Sequence, residues 1–303
     1  MNIRRIINQN RKQIILVILA IIFIIAIIQT LNYFAKESNQ DNLNEIIEQN
    51  RHIDSDLRPA ISEDSTTDLE LTSKHKDVIE EFIKLCNEGK SEEAYNMLSK
   101  DCQSIMYSSY DNFYNNYYEK NFGSKKSYTI QNWINNTFKV DIKEDVLLTG
   151  GTAENNIQDF ISVVTEDNQY KLNINNYIGS SEVNKETKQD NIVFKVTKKD
   201  THMKYERYYL QITNNGDTDV LLDDLKNTNT LYLLDNNDIK YSVTNDTLTK
   251  EQIYIRKGVT MNVAIKFTNA YTYEREFKCI VFSNAKKQNN DGTYTNMEYS
   301  VNI

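Results

Sequence analysis

Proline and glycine are scarce, at one and eight in 303 residues, and histidine, cysteine and tryptophan are rarer than average at three, three and one. So little glycine and proline excludes a collagen-like chain or a low-complexity linker along the whole length. Cys86, Cys102 and Cys279 lie far apart, match no metal-ligand spacing and cannot all pair, which excludes a disulfide scaffold. Cys86 shares helical spacing with Ile79, Phe82 and Ile83, so it reads as a small buried hydrophobe, while a Cys86–Cys102 bridge stays open. No HExxH, GxSxG, GxxxxGK or CxxC pattern occurs. Ser73-Lys74-His75-Lys76 fits the SxxK nucleophile pattern, but no Lys-Thr-Gly accompanies it, and the match reads as a helix start. His52, His75 and His202 have no nucleophile to serve as base for. The expectation is a protein without catalytic residues, cofactor or metal.

What is present is charge, aromatic residues and one apolar run. Charged residues make up 26% and the net charge is −8, so there is no global basic field to gather phosphates, and nucleic acid is not an expected partner. Heavy use of Asn, Lys, Ile and Tyr resembles the proteins of an AT-rich Gram-positive bacterium. From Ile14 to Ile28 no polar residue intervenes, and Leu31, Tyr33 and Phe34 extend the run. At 1.5 Å per residue, roughly 20 residues cross about 30 Å of hydrocarbon, so residues 14–34 are expected to form a transmembrane helix. A cleaved signal peptide would be shorter and end in a small-x-small site, which does not follow here. Arg4, Arg5, Arg11 and Lys12 precede the run and acidic residues follow it. That bias places residues 1–13 in the cytoplasm as a short tail and the bulk of the chain outside, in a single-pass plasma-membrane protein whose first partner is the lipid bilayer.

Residues 35–73 are polar and acidic and read as a flexible stalk, with Pro59 and the stretch from Ser62 to Thr67 favouring extended chain that spans roughly 30 to 35 Å. Residues 74–180 form a first folded unit. Val78, Ile79, Phe82, Ile83 and Cys86 make a helical stripe behind Ser73 as cap; a second helix starts at Ser91 and ends at Ser99–Asp101, and a third runs from Asp111 to Phe122. Then Phe138, Val140 and Ile142, and Tyr170, Leu172 and Ile174, alternate with polar residues as strands do, with a hairpin turn from Glu166 to Gln169. Helices followed by antiparallel strands give an α+β unit. Its segment VIEEFIKLCNEGKSEEAYNMLSKDCQ, residues 78–103, resembles the opening of the nuclear transport factor 2-like (cystatin-like) superfamily found on Gram-positive extracytoplasmic proteins. The resemblance implies a cone-shaped fold and not an activity. Enzymes of that superfamily carry a His and Asp pair in the cone, and here the only histidine precedes or begins the first helix and no acidic residue has an evident partner inside the sheet.

The aromatic cluster of the first unit is its notable feature. Tyr107, Tyr110, Phe113, Tyr114, Tyr117, Tyr118, Phe122, Tyr128 and Trp133 cannot all face one way. Most should fill the core, and Tyr110, Tyr114, Tyr117, Tyr118 and Trp133 are the candidate contacts for a partner or ligand.

Residues 185–303 lose the helical pattern. Ile192, Phe194 and Val196, then Tyr208, Leu210 and Ile212, then Met261, Val263, Ile265 and Phe267 alternate, separated by turns at Asn214–Asp217, Asp235–Asp238, Lys257-Gly258 and Asn289–Gly292. About eight short strands of this kind make an all-β sandwich. The segments YYLQITNNGDTDV (208–220) and Arg256-Lys257-Gly258 look like the immunoglobulin-like domains of bacterial surface proteins, without their disulfide or core tryptophan. The acidic turns lack the ligand spacing of a calcium loop. Taken together, the expected function is that of a non-catalytic envelope protein whose outer domains make protein contacts or self-associate in a membrane assembly of the secretion or conjugation type. A ligand-binding module for a glycan, peptide or small molecule, and an accessory protein of cell-wall synthesis, are the alternatives.

Overall fold

In the computed structural model, which describes residues 64–144, 156–227, 229–244, 248–272 and 275–303, the first helix, α1, spans Asp64–Asn87. It begins earlier than expected: Ser73 lies inside it instead of capping it, and the end of the segment read as extended stalk is helical from Asp64. Glu70 and Lys74, one turn apart, pair at 2.8 Å on its exposed side, and such i,i+4 pairs support a helix turn that buries little. Farther on, Ile79, Phe82, Ile83 and Cys86 are buried, as their spacing requires. Residues 1–63, and with them the expected tail, anchor and most of the stalk, lie outside the described residues. Among the described residues no helix is long and apolar enough to cross a membrane.

Short helices follow: α2 (Ser91–Asn96), α3 (Lys100–Met106), α4 (Tyr110–Phe113) and α5 (Glu119–Phe122), with a single π turn, Tyr114–Tyr118, between the last two. Helix α3 was not expected. Ser99, read as a helix end, is its N-cap, with Oγ accepting the Cys102 N–H at 3.0 Å. Ser109, not Asp111, caps α4 by accepting the Asn112 N–H at 3.2 Å.

Strands β1 (Lys126–Ile134), β2 (Thr137–Glu144), β3 (Ile157–Glu166) and β4 (Gln169–Asn173) form an antiparallel sheet in that order. Asp167 and Asn168, both at positive φ, make the two-residue turn expected between Glu166 and Gln169. Phe138, Val140, Ile142, Ile161, Val163 and Leu172 from this sheet share one core with the helices.

The remaining strands are β5 (Tyr177–Gln189), β6 (Ile192–His202), β7 (Tyr205–Asn214), β8 (Val220–Leu221), β9 (Leu231–Asp235), β10 (Lys240–Ser242), β11 (Tyr254–Ile255), β12 (Thr260–Thr268), β13 (Phe277–Gln288) and β14 (Tyr294–Asn302). One sheet has the order β12-β7-β6-β5; the other has β10-β9-β13-β8-β11 with β14 also on β13. Phe194, Leu210, Ile212 and Ile265 of the first sheet pack with Leu233, Ile280, Phe282 and Tyr299 of the second in a single core. All four expected turns are turns. Two of their aspartates serve the backbone: Asp235 Oδ1 accepts the N–H groups of Asn237 and Ile239 at 2.8 and 2.9 Å, and Asp291 Oδ1 accepts the Thr293 N–H at 2.9 Å.

The boundary expected between residues 180 and 185 cuts a continuous strand. Tyr177, at one end of β5, is buried in the first core, while Val183 packs against the second. Leu69–Ile303 is accordingly one compact unit. The described residues are mostly β-sheet with few helices, and the helices lie against the first sheet.

Candidate functional site

Spacing by four from Tyr110 gives Tyr114, Tyr118 and Phe122, and spacing of that kind superposes side chains along one side of a helix. The rings form a ladder, with centroids 6.0 Å apart for Tyr110–Tyr114, 5.2 Å for Tyr114–Tyr118 and 6.3 Å for Tyr118–Phe122. The π turn adds a residue to one turn of this helix, an insertion that often marks functional positions. Both neighbours of Tyr114 are tied to the frame: Tyr110 Oη lies 2.6 Å from Ser91 Oγ, and Tyr118 Oη donates to the Cys86 carbonyl at 3.3 Å. Tyr114 is 37% exposed and contacts described residues through its ring alone. The ladder therefore offers one solvent-facing phenol, its ring fixed between two anchored ones.

Tyr117 belongs elsewhere. Four residues after the buried Phe113 it falls on the same inward side of the helix, buried against Phe82, Tyr107 and Phe113. It cannot touch a partner, which corrects its assignment as a contact. Trp133 is exposed on β1 and packs edge-on against Phe160 at 5.3 Å. Phe160 alternates with the core-facing Asp159 and Ile161, so this pair lies on the sheet face away from the tyrosines. The structure thus brings together Tyr110, Tyr114 and Tyr118 and separates Tyr117 and Trp133 from them.

Sequence reasoning missed the acidic residue at the centre of the first core. Asp159 is buried on β3 and accepts three hydrogen bonds, from Tyr117 Oη at 2.8 Å and from the N–H groups of Asn175 and Asn176 at 3.0 and 2.9 Å. Burial raises its carboxyl above the usual range, and these donors oppose the rise. Asn175 and Asn176 both hold positive φ in the turn from the first sheet into β5. Asp159 is a clamp on that turn, and among the described residues no second acid or histidine shares its hydrogen bonds. The only sequence signal was an Asp at an inward position of an alternating run.

A second polar cluster lies on β6 and β7. Asp200, fully buried, accepts from Tyr209 Oη at 2.6 Å and pairs with Lys198 at 3.3 Å. Beside it His202 stacks on Tyr205 at 4.0 Å between centroids, tilts against Tyr177 at 5.2 Å and leaves Nε2 without a partner. Burial, the first cause, and the cations of Arg207 and Lys266 hold the His202 pKa down at about 4. The ring is thus neutral at pH 7. His75, placed inside α1, is also buried and packs edge-on against Tyr170 at 4.9 Å. Neither histidine faces a nucleophile.

Cys86, Cys102 and Cys279 are free and buried. Burial pushes the Cys102 thiol up to about 12 and Cys86 higher still. Among the described residues, no group of three or more His, Cys, Asp or Glu side chains is placed to hold a metal ion. Two open clefts, of about 490 and 470 Å³, lie beside Lys120, Lys126 and Glu144, and beside Tyr254, Arg256 and Met261. Neither is lined by the tyrosine ladder or Trp133, and the interior of the first unit is filled by Tyr107, Phe113, Tyr117 and Phe138. No protein-family model, curated protein or solved structure matches this chain.

Proposed function

We propose that this chain is a non-catalytic, single-pass envelope protein whose sheet-rich part, outside the cytoplasm, makes protein contacts in a membrane-associated assembly of the secretion or conjugation type. In this reading residues 14–34 anchor the chain, and Arg4, Arg5, Arg11 and Lys12 hold residues 1–13 on the cytoplasmic side. The first unit is taken as a nuclear transport factor 2-like cone and the second as an immunoglobulin-like sandwich. Helices against one face of a four-stranded antiparallel sheet, and two sheets sharing one core, support those assignments.

The observation that carries the proposal is Tyr114, an exposed ring fixed between Tyr110 and Tyr118. Exposed tyrosines that are already ordered lose little entropy on binding, which is why such residues anchor protein interfaces. A filled interior supports contact by surface over enclosure of a small ligand. The test is crosslinking of the full chain in native membranes with a photoreactive residue at Asn115 or Asn116, exposed positions within two residues of Tyr114. Specific adducts that vanish with Tyr114→Ala are expected. Adducts unchanged by Tyr114→Ala would overturn the assignment.

A further inference from the structure

A strand at the rim of a sheet exposes unpaired N–H and C=O groups and is normally blunted. In this fold nearly every rim is. The outer edge of β4 is covered by residues 97–99, with Leu172 N–H bonded to the Met97 carbonyl and Ser99 N–H to the Leu172 carbonyl, both at 3.0 Å. On β12, Val243 bridges Phe267 and Thr244 N–H reaches the Lys266 carbonyl at 2.9 Å. The rims of β5 and β14 close on each other through side chains: Thr187 Oγ1 accepts from Asn302 N–H and Gln189 Oε1 from Ser300 N–H, each at 3.0 Å. Strands β10 and β11 are three and two residues long.

Strand β1 is the exception among the described residues. It is nine residues long and pairs with β2 only. Its first residue fixes the phase of its open edge. Lys126 N–H and C=O both bond the Asn87 side chain, at 2.9 Å each, so the backbone of Lys126 points away from β2. Alternation then aims the N–H and C=O groups of Tyr128, Ile130 and Asn132 outward. From Ser127 to Ile134 the strand has no charge and no proline, the two residues that most often guard an edge.

The geometry points to β1 as a self-association edge, at which a second copy of this chain adds its own β1 antiparallel about a two-fold axis at Ile130. In that register Tyr128 faces Asn132 of the second copy and Ile130 faces Ile130, so every outward backbone group of these residues finds a complement. The half-exposed rings and methyls of Tyr128 and Ile130, which pack on the first core, then continue into the same residues of the second copy. Charge does not oppose the pairing. Thr129 neighbours Asp141 and Gln131 neighbours Lys139 on β2, so each row across the joined sheet ends in an aspartate on one side and a lysine on the other. Lys126 meets Ile134, and no like charges oppose. This inference does not depend on the tyrosine ladder, which lies on the helices.

The register places Thr129 beside Gln131 of the second copy, in pairs whose side chains approach closely. Both are exposed, so both accept substitution without disturbing the core. For the full chain in mild detergent, light scattering is expected to show a dimer that T129K/Q131K weakens about tenfold or more, since like charges then face each other twice. T129K/Q131E, which opposes unlike charges in this register alone, should dimerise as the unchanged chain does. Independently, mixing a T129C chain with a Q131C chain should give a disulfide-linked dimer on oxidation, and neither variant alone should. A monomer at all concentrations, dimerisation indifferent to T129K/Q131K, or failure of the mixed cysteine variants to crosslink overturns the proposal. Loss of the dimer in Tyr114→Ala with T129K/Q131K unaffected would move self-association to the tyrosine ladder and also overturn it.

Discussion

Tyr117 Oη donates a 2.8 Å hydrogen bond to Asp159, and through that one carboxylate the π turn is joined to β3 and to the turn that launches β5. The interior of the first unit and its exit into the second sheet system are therefore held by the same group.

Removing the donor should be costly because the acceptor stays buried. Tyr117→Phe is expected to lower the unfolding free energy by about 1 to 3 kcal/mol, and Asp159→Ala, which strands three donors, by more. Urea denaturation of the full chain measures both. Faster amide exchange at Asn175 and Asn176 in Asp159→Ala, beyond that in Tyr117→Phe, would locate the loss in the turn.

Exposure separates the tyrosines of the ladder. Tyr114→Ala removes ring contacts only and should change stability by about 0.5 kcal/mol or less. Tyr118→Ala also removes a hydrogen bond to the Cys86 carbonyl and the stack on Phe122, and should cost about 1 to 2 kcal/mol. Equal thermal shifts for the two would contradict the anchored-frame account of Tyr114.

His202 makes stability depend on pH. Its folded pKa of about 4 lies below the ordinary value of 6.5, so on acidification the unfolded chain takes up the proton first. The contribution is complete above pH 6.5 and is lost as the pH falls toward 4. The groups facing the ring are Tyr177, Tyr205, Arg207, Lys266 and Asp200. His202→Gln should flatten the fall of the urea midpoint between pH 6.5 and 5, where carboxylates contribute less; an unchanged slope would show that the ring does not control it.

The thiols should be silent in the native state. Cys86, Cys102 and Cys279 are buried, and burial keeps Cys86 and Cys102 protonated. A maleimide reagent is expected to label none of them in folded protein and all three in urea. Rapid native labelling of Cys102 would show that the first core opens.

Much of the local structure was legible. Period-two runs such as Phe138-Val140-Ile142 and Tyr208-Leu210-Ile212 became strands with those residues inside, because alternation sets which face is buried. Turns at Asp167-Asn168 and Lys257-Gly258 could be read because few residues tolerate positive φ. The helix ends were less legible. Ser99 caps a helix that the apolar pattern did not mark, since α3 is too short to show a period, and Ser109 in place of Asp111 caps the start of the expected third helix. The site was legible only in part: the density of aromatics singled out Tyr110, Tyr114 and Tyr118 but did not separate them from the buried Tyr117, because which side of a helix meets the sheet is decided by packing and not by local spacing.

By itself the sequence determined which residues could be core, where the chain must turn and that no recognisable catalytic motif is present, because these follow from hydrophobicity, backbone sterics and residue chemistry at short range. Only the tertiary structure decided that Asp159 meets Tyr117 from 42 residues away, that β5 runs unbroken from one core into the next, and that among the described residues β1 pairs with β2 alone. Each of these depends on which segments become neighbours in space, and local pattern carries no information about that pairing.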